Sequence, residues 1–145
     1  MSLRNLSLVA TLGLMLAVIG LLVRHALFAD RVVPVMVQVA AAILMLWARL
    51  TLGARSFHAS ADPTDGKLVT IGPYRFLRHP IYAAILWFTC AGVATHLSWV
   101  HVALGALAVL GIATRIYTEE RLLAVRYPEY AAYASHTKRI LPFVL

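Results

Sequence analysis

The chain has 145 residues, 61% hydrophobic and only 13% charged, with a mean hydropathy of +0.81. Soluble domains hold roughly 45–50% apolar residues, so this composition excludes a water-soluble globule and leaves room for one integral membrane domain. The net charge of +7 does not signal nucleic acid, because most Lys and Arg residues flank apolar runs, where they set topology and meet anionic headgroups.

The first apolar run, Leu6 to Val23, suits a spanning helix, which needs about 20 residues; a span over 6–28 is expected. A cleaved signal peptide is the rival reading. Its apolar core would be only about 7–15 residues, and Ala26-Leu27-Phe28-Ala29 is a poor cleavage site. Asp30 and Arg31 mark a turn before a second span over 32–50, with Pro34 in the first turn, where a missing N–H does little harm. Thr51 to Phe76 is the one long polar segment, with turn signals at Asp62-Pro63 and Asp65-Gly66 and an extended piece at Leu68–Ile71. From Ile81 to Ala113 no Asp, Glu, Lys or Arg occurs. One helix of that length would run about 50 Å, beyond the roughly 30 Å hydrocarbon core. The stretch therefore reads as a tight hairpin of two short spans, 79–95 and 98–117, turning at Thr95-His96-Leu97-Ser98 with Trp99 at the interface. A tail over 118–142 follows.

The expected fold is all-α and integral to the membrane, with about four transmembrane helices, a helical hairpin and a C-terminal cytosolic amphipathic segment. Four spans place both termini on one side. Of the 13 Lys and Arg residues only Arg24 and Arg31 lie in the opposite loop, so the positive-inside rule puts the termini and the polar segment in the cytosol.

Two polar segments answer each other across the hairpin. The first is Gly72-Pro73-Tyr74-Arg75-Phe76-Leu77-Arg78-His79-Pro80-Ile81-Tyr82. The second is Arg115-Ile116-Tyr117-Thr118-Glu119-Glu120-Arg121-Leu122. Arg115 and Glu119 share a helix face, and Glu120 points about 100° away. A snorkelling arginine with surface carboxylates and a reactive pair both fit that spacing. His79 before Pro80 reads as a helix start. No metal is expected, because no His pair has ligand spacing on a polar face and the single cysteine, Cys90, excludes Cys-based zinc sites and disulfide frameworks. Tyr130 and Tyr133 share a face of a segment that either lies on the bilayer or lids a pocket, with aromatic faces toward a cationic ligand. No Gly-rich nucleotide loop or hydrolase triad motif is present.

Taken in order, Gly72-Pro73-Tyr74, Arg78-His79-Pro80-x-Tyr82, an apolar hairpin, Arg115-x-x-x-Glu119-Glu120, Tyr130-x-x-Tyr133 and Arg139-x-x-Pro142 form a recognisable series. It resembles the isoprenylcysteine carboxyl methyltransferase and phospholipid methyltransferase-like integral membrane enzymes, from Leu68 to Pro142. The resemblance implies S-adenosyl-L-methionine held in a cytosol-facing pocket between the hairpin and the C-terminal segment. It assigns cofactor contact to Tyr74, Arg78, His79, Pro80, Tyr82, Glu120, Tyr130, Tyr133 and Arg139, and a catalytic role at the acceptor end to Arg115 and Glu119. Ala84 stands where the family often has glycine, which bears on the pocket's shape.

The implied reaction is methylation of a hydrophobic or amphiphilic acceptor, with carboxyl O-methylation favoured and a lipid amine or thiol as the other acceptors. So short a chain resembles the prokaryotic members, which implies a multi-pass protein of the cytoplasmic membrane with its active site toward the cytosol. The expected partners are the lipid bilayer and a lipid-like small-molecule substrate, not nucleic acid; oligomeric state is left open. A non-enzymatic membrane module binding lipid or a partner protein is the competing reading.

Overall fold

The computed structural model describes residues 2–53 and 68–141. The turn signals at Asp62-Pro63 and Asp65-Gly66, and Pro142 of the last motif, lie outside them. Among the described residues the chain forms α1 (Leu3–Val23), α2 (Val32–Leu52), a 3-10 turn (Gly72–Arg75), α3 (Pro80–Thr95), α4 (Trp99–Arg126) and α5 (Tyr130–His136). No strand occurs among them, only an isolated parallel bridge between Leu77 and Lys138.

Three helices, α1, α2 and α4, are long and apolar enough to cross a membrane. With 16 residues, α3 reaches only about 24 Å, short of the roughly 30 Å hydrocarbon core. The hairpin is thus asymmetric. Ser98 accepts the His101 N–H at 3.2 Å and caps the start of α4, which then runs for 28 residues. It does not stop at the first charges. Glu119, Glu120, Arg121 and Leu122 are good helix formers, and nothing breaks the run before Pro128, so the expected tail begins as helix.

The first helix ends at Val23, not at residue 28. His25 adopts a positive φ of 54°, and Ala26 and Leu27 fold under the bundle, 0% and 9% exposed. Their hydrophobicity is satisfied in a buried loop. The pairing that follows puts α1 along α4 and α2 along α3. Buried positions hold small residues (Ala10, Ala17, Ala41, Ala48, Ala83, Ala108), whereas Leu12, Leu16, Ile19, Met36, Ile43 and Leu46 point outward. That arrangement suits lipid, which solvates a leucine as well as a core does, so close backbone approach is what draws the helices together.

One buried side chain staples the far end of the bundle. Gln38 of α2 donates from Nε2 to Leu27 O at 2.8 Å and Phe88 O at 3.0 Å, and accepts the Ala29 N–H at 2.9 Å. Replacing Gln38 by Leu leaves those backbone groups without their partner, each at a cost of about 1–3 kcal/mol. The variant is expected to lower the unfolding midpoint in detergent, with a stability loss of about 2 kcal/mol or more; an unchanged midpoint would remove the staple from the account. At the other end, Gly72 has φ +59°, and a Cβ there would fall 2.6 Å from Thr51 Oγ1. Only glycine tolerates both, which lets the chain turn under α2 and enter α3.

Candidate functional site

The 3-10 turn, the start of α3, the charged end of α4 and α5 meet at one mouth. Two polar clusters form there. In the first, the Tyr82 hydroxyl donates to Glu119 Oε2 at 2.8 Å and accepts from Arg115 Nε at 2.9 Å. The guanidinium carbon lies 5.5 Å from the Tyr82 ring centroid, within cation–π range, and Arg115 Nη1 donates to Thr11 Oγ1 of α1. Arg115 is only 6% exposed. The helical spacing of Arg115 and Glu119 brings them to one face, and a phenol from the facing helix is bonded to both.

The second cluster centres on Glu120. Its carboxylate accepts from Arg78 Nε at 3.1 Å and from Arg139 Nε and Nη2 at 3.1 and 2.9 Å, while His79 Nε2 stands 3.4 Å away. Arg78 also donates from Nη1 to Ala134 O at 2.5 Å and Thr137 O at 2.7 Å. The backbone repeats the tie: Arg78 N–H to Lys138 O at 2.6 Å, His79 N–H to Arg139 O at 3.1 Å, and Lys138 N–H to Phe76 O at 3.0 Å. The Tyr133 hydroxyl donates to Tyr74 O at 2.7 Å. Arg78 therefore joins the end of α5 to both the α3 entrance and Glu120.

Electrostatics fix the protonation of this cluster. Burial pushes the Tyr133 phenol up to about 12. Burial, then the nearby Glu120 charge, drives Tyr130 further upward, and burial followed by the Glu119 charge does the same for Tyr74. These phenols stay neutral and keep a proton to donate. Hydrogen bonding to Glu120 raises Arg139 above its ordinary value, which keeps it cationic.

Of the four buried side-chain polar atoms without a hydrogen-bond partner among the described residues, two, His79 Nε2 and the Tyr130 hydroxyl, lie at this mouth. Such orphans are costly and rare. Beside a carboxylate, they fit a ligand that carries hydroxyls and a cationic group.

The structure gathers the expected residues but distributes them unevenly. His79, Glu120, Tyr130, Tyr133, Arg78, Arg139 and Tyr74 surround the second cluster. Tyr82, expected among the cofactor contacts, is bonded to Arg115 and Glu119, although its ring lies 5.6 Å from that of His79. Pro80 is buried as the first residue of α3. Thr11 went unread, although Ser7 and Thr11, four apart, are the only hydroxyl residues of α1. Among the described residues no three of His, Cys, Asp or Glu are placed to hold a metal ion.

Below the first cluster, an apolar cavity of about 280 Å³ lies between α1, α2 and α3, walled by Val18, Ala41, Met45, Ala84, Ile85 and Phe88 among others. Ala84 and Ile85 follow Tyr82 closely on α3. Ala84, where the resemblance sets a glycine, is thus among the residues that line this cavity.

The isoprenylcysteine carboxyl methyltransferase family model matches residues 32–125, more than half of the chain. The chain is also similar to the cobalt-zinc-cadmium resistance protein CzcN of Cupriavidus metallidurans, with 34% identity over 98 residues, which cover 67% of this chain and 42% of that protein. It thus spans less than half the length of this relative. No solved structure matches the chain significantly.

Proposed function

Because the chain belongs to the isoprenylcysteine carboxyl methyltransferase family, we propose that it is a membrane methyltransferase that uses S-adenosyl-L-methionine to esterify a hydrophobic carboxylate. The observation that carries this reading is the adjacency of the two clusters. A carboxylate with His79 Nε2 3.4 Å away and two buried polar atoms that make no hydrogen bond adjoins an arginine held in place by a phenol.

His79, Glu120 and Tyr130 are the residues that would hold the cofactor: Glu120 offers negative charge to its cationic groups, and His79 Nε2 and the Tyr130 hydroxyl bond its polar atoms. When bound, the cofactor supplies an electrophilic methyl group on a sulfonium. Arg115 orients the acceptor carboxylate by charge-assisted hydrogen bonds, and Tyr82, itself bonded to Glu119, holds one edge of the guanidinium. Arg115 would present the acceptor carboxylate to that methyl group, and a carboxylate is already nucleophilic, so the chain need supply no base. No proton moves, so alignment and exclusion of water govern the rate. The apolar cavity behind Tyr82 takes the hydrocarbon part of the acceptor. In this reading the mouth opens to the cytosol of a prokaryotic cell, where the basic residues lie, and the acceptor arrives laterally from the bilayer.

Calorimetric titration of the detergent-purified protein with S-adenosylhomocysteine tests the proposal. Saturable binding is expected below millimolar concentration, followed by transfer of radiolabelled methyl to N-acetyl-S-farnesylcysteine. Absence of any binding signal would overturn the enzymatic reading in favour of a non-catalytic membrane module. Binding with transfer only to amine or thiol amphiphiles would replace the carboxylate.

A further inference from the structure

Arg115 is held on two edges by residues from two different helices. Tyr82 of α3 accepts from Nε at 2.9 Å, and Thr11 of α1 accepts from Nη1. The Thr11 hydroxyl proton is already committed, donating to Ser7 O at 2.8 Å. Thr11 therefore presents only a lone pair to the guanidinium, and its polarity cannot reverse. A hydroxyl one turn earlier, Ser7 Oγ, is fully buried and makes no hydrogen bond. Further along, the same face continues as Ala10, Leu14, Ala17 and Leu21.

Thr11 and the rest of α1 lie before residue 32, where the family match begins. We infer that Thr11 is a positioning residue: it fixes the plane of the Arg115 guanidinium, so that α1, outside the matched segment, completes the acceptor end of the site. The inference rests on the methyl transfer proposed above. A planar, forked donor gives specificity only if its plane is fixed, and one anchored edge leaves rotation about that edge. Two anchored edges remove it. A small tilt of the guanidinium displaces the acceptor oxygen from the line of attack, which is felt in turnover.

The test compares Thr11→Val, which keeps the shape and removes the lone pair, with Thr11→Ser, which keeps the hydroxyl. Transfer to N-acetyl-S-farnesylcysteine and S-adenosylhomocysteine binding are measured for both and for wild type. Thr11→Val is expected to lower kcat by about 10- to 100-fold, as for loss of a hydrogen bond to a charged group. Its S-adenosylhomocysteine affinity should stay within about twofold of wild type, which also reports that it has folded, and Thr11→Ser should recover most of kcat. Normal turnover in Thr11→Val overturns the inference and leaves the methyltransferase reading standing. Equal losses in kcat and in S-adenosylhomocysteine binding would make Thr11 merely structural, also overturning it. Wild-type protein that binds no cofactor fails the earlier reading, and this inference falls with it.

Discussion

Glu120→Gln is expected to weaken S-adenosylhomocysteine binding by about 100-fold or more while the bundle stays folded. Glu120 is the common acceptor for Arg78 and Arg139, and Arg78 is largely buried, its side chain 11% exposed. Neutralising one member of such a set leaves the other charges uncompensated, at a cost of about 3–5 kcal/mol for a buried pair. At about 1.4 kcal/mol per decade that is about two to three and a half orders of magnitude in affinity if the whole loss falls on the binding site. The site loses twice, because the carboxylate that would attract a cationic ligand disappears and two guanidiniums that would repel it remain. Arg78 keeps its bonds to Ala134 O and Thr137 O, so α5 stays docked and the loss is local. Glu119→Gln provides the comparison, since its contact is to Tyr82; it should leave cofactor-product affinity within a few fold. If Glu120→Gln binds as wild type does, Glu120 is not the cofactor carboxylate.

Gly92→Ala is expected to prevent stable folding. Gly92 of α3 packs on the backbone of the loop after α1. A Cβ there would lie 2.7 Å from Ala26 O, and it would collide outright with Leu27 O. The obstruction is backbone, not the end of a flexible side chain. The loop cannot retreat freely, because Leu27 O also accepts from Gln38 Nε2 and Ala26 N–H bonds Leu21 O at 2.8 Å. Overpacking a tight interior costs about 1–3 kcal/mol and occasionally more; with both neighbours tethered, this site falls at or above the top of that range. The expected readout is loss of monodisperse protein after detergent extraction, or a large drop in unfolding midpoint. Gly13→Ala is the matched control, since its added carbon would meet only Leu107 Cδ1 at an ordinary 3.7 Å. Equal stability of the two variants would refute the tight contact.

Helix order and the two facing motifs were legible in the sequence, because both depend on near-neighbour patterns. Charges stop where the bilayer starts, and Pro80 and Ser98 mark helix starts through rules that need no partner. Legibility failed wherever a residue's role depends on a distant one. The apolar residues at 26–28 look like the end of a span, yet hydropathy cannot tell a helical leucine from one tucked under a bundle. The spacing of Arg115 and Glu119 predicted a shared face, but not the Tyr82 hydroxyl bonded to both, which depends on how α3 crosses α4. Arg78 reads as a ligand contact in a motif; two of its acceptors are the carbonyls of Ala134 and Thr137, and a carbonyl carries no side-chain identity for a motif to encode. Thr11 was hidden for the opposite reason, being one of two hydroxyls in an otherwise apolar span, where its partner alone gives it meaning.

The short α3 has a consequence for the lipid around it. Placed across a bilayer, its 16 residues would leave a deficit of about 6 Å against an average hydrocarbon core, and a short span draws the bilayer thinner around itself. The water boundary then dips toward His79, at the helix start. Headgroups there sit lower than elsewhere around the bundle, so an amphiphile drifting in one leaflet meets a depression beside the mouth. Under the proposed function, membrane thickness thus becomes part of how an acceptor would reach the site.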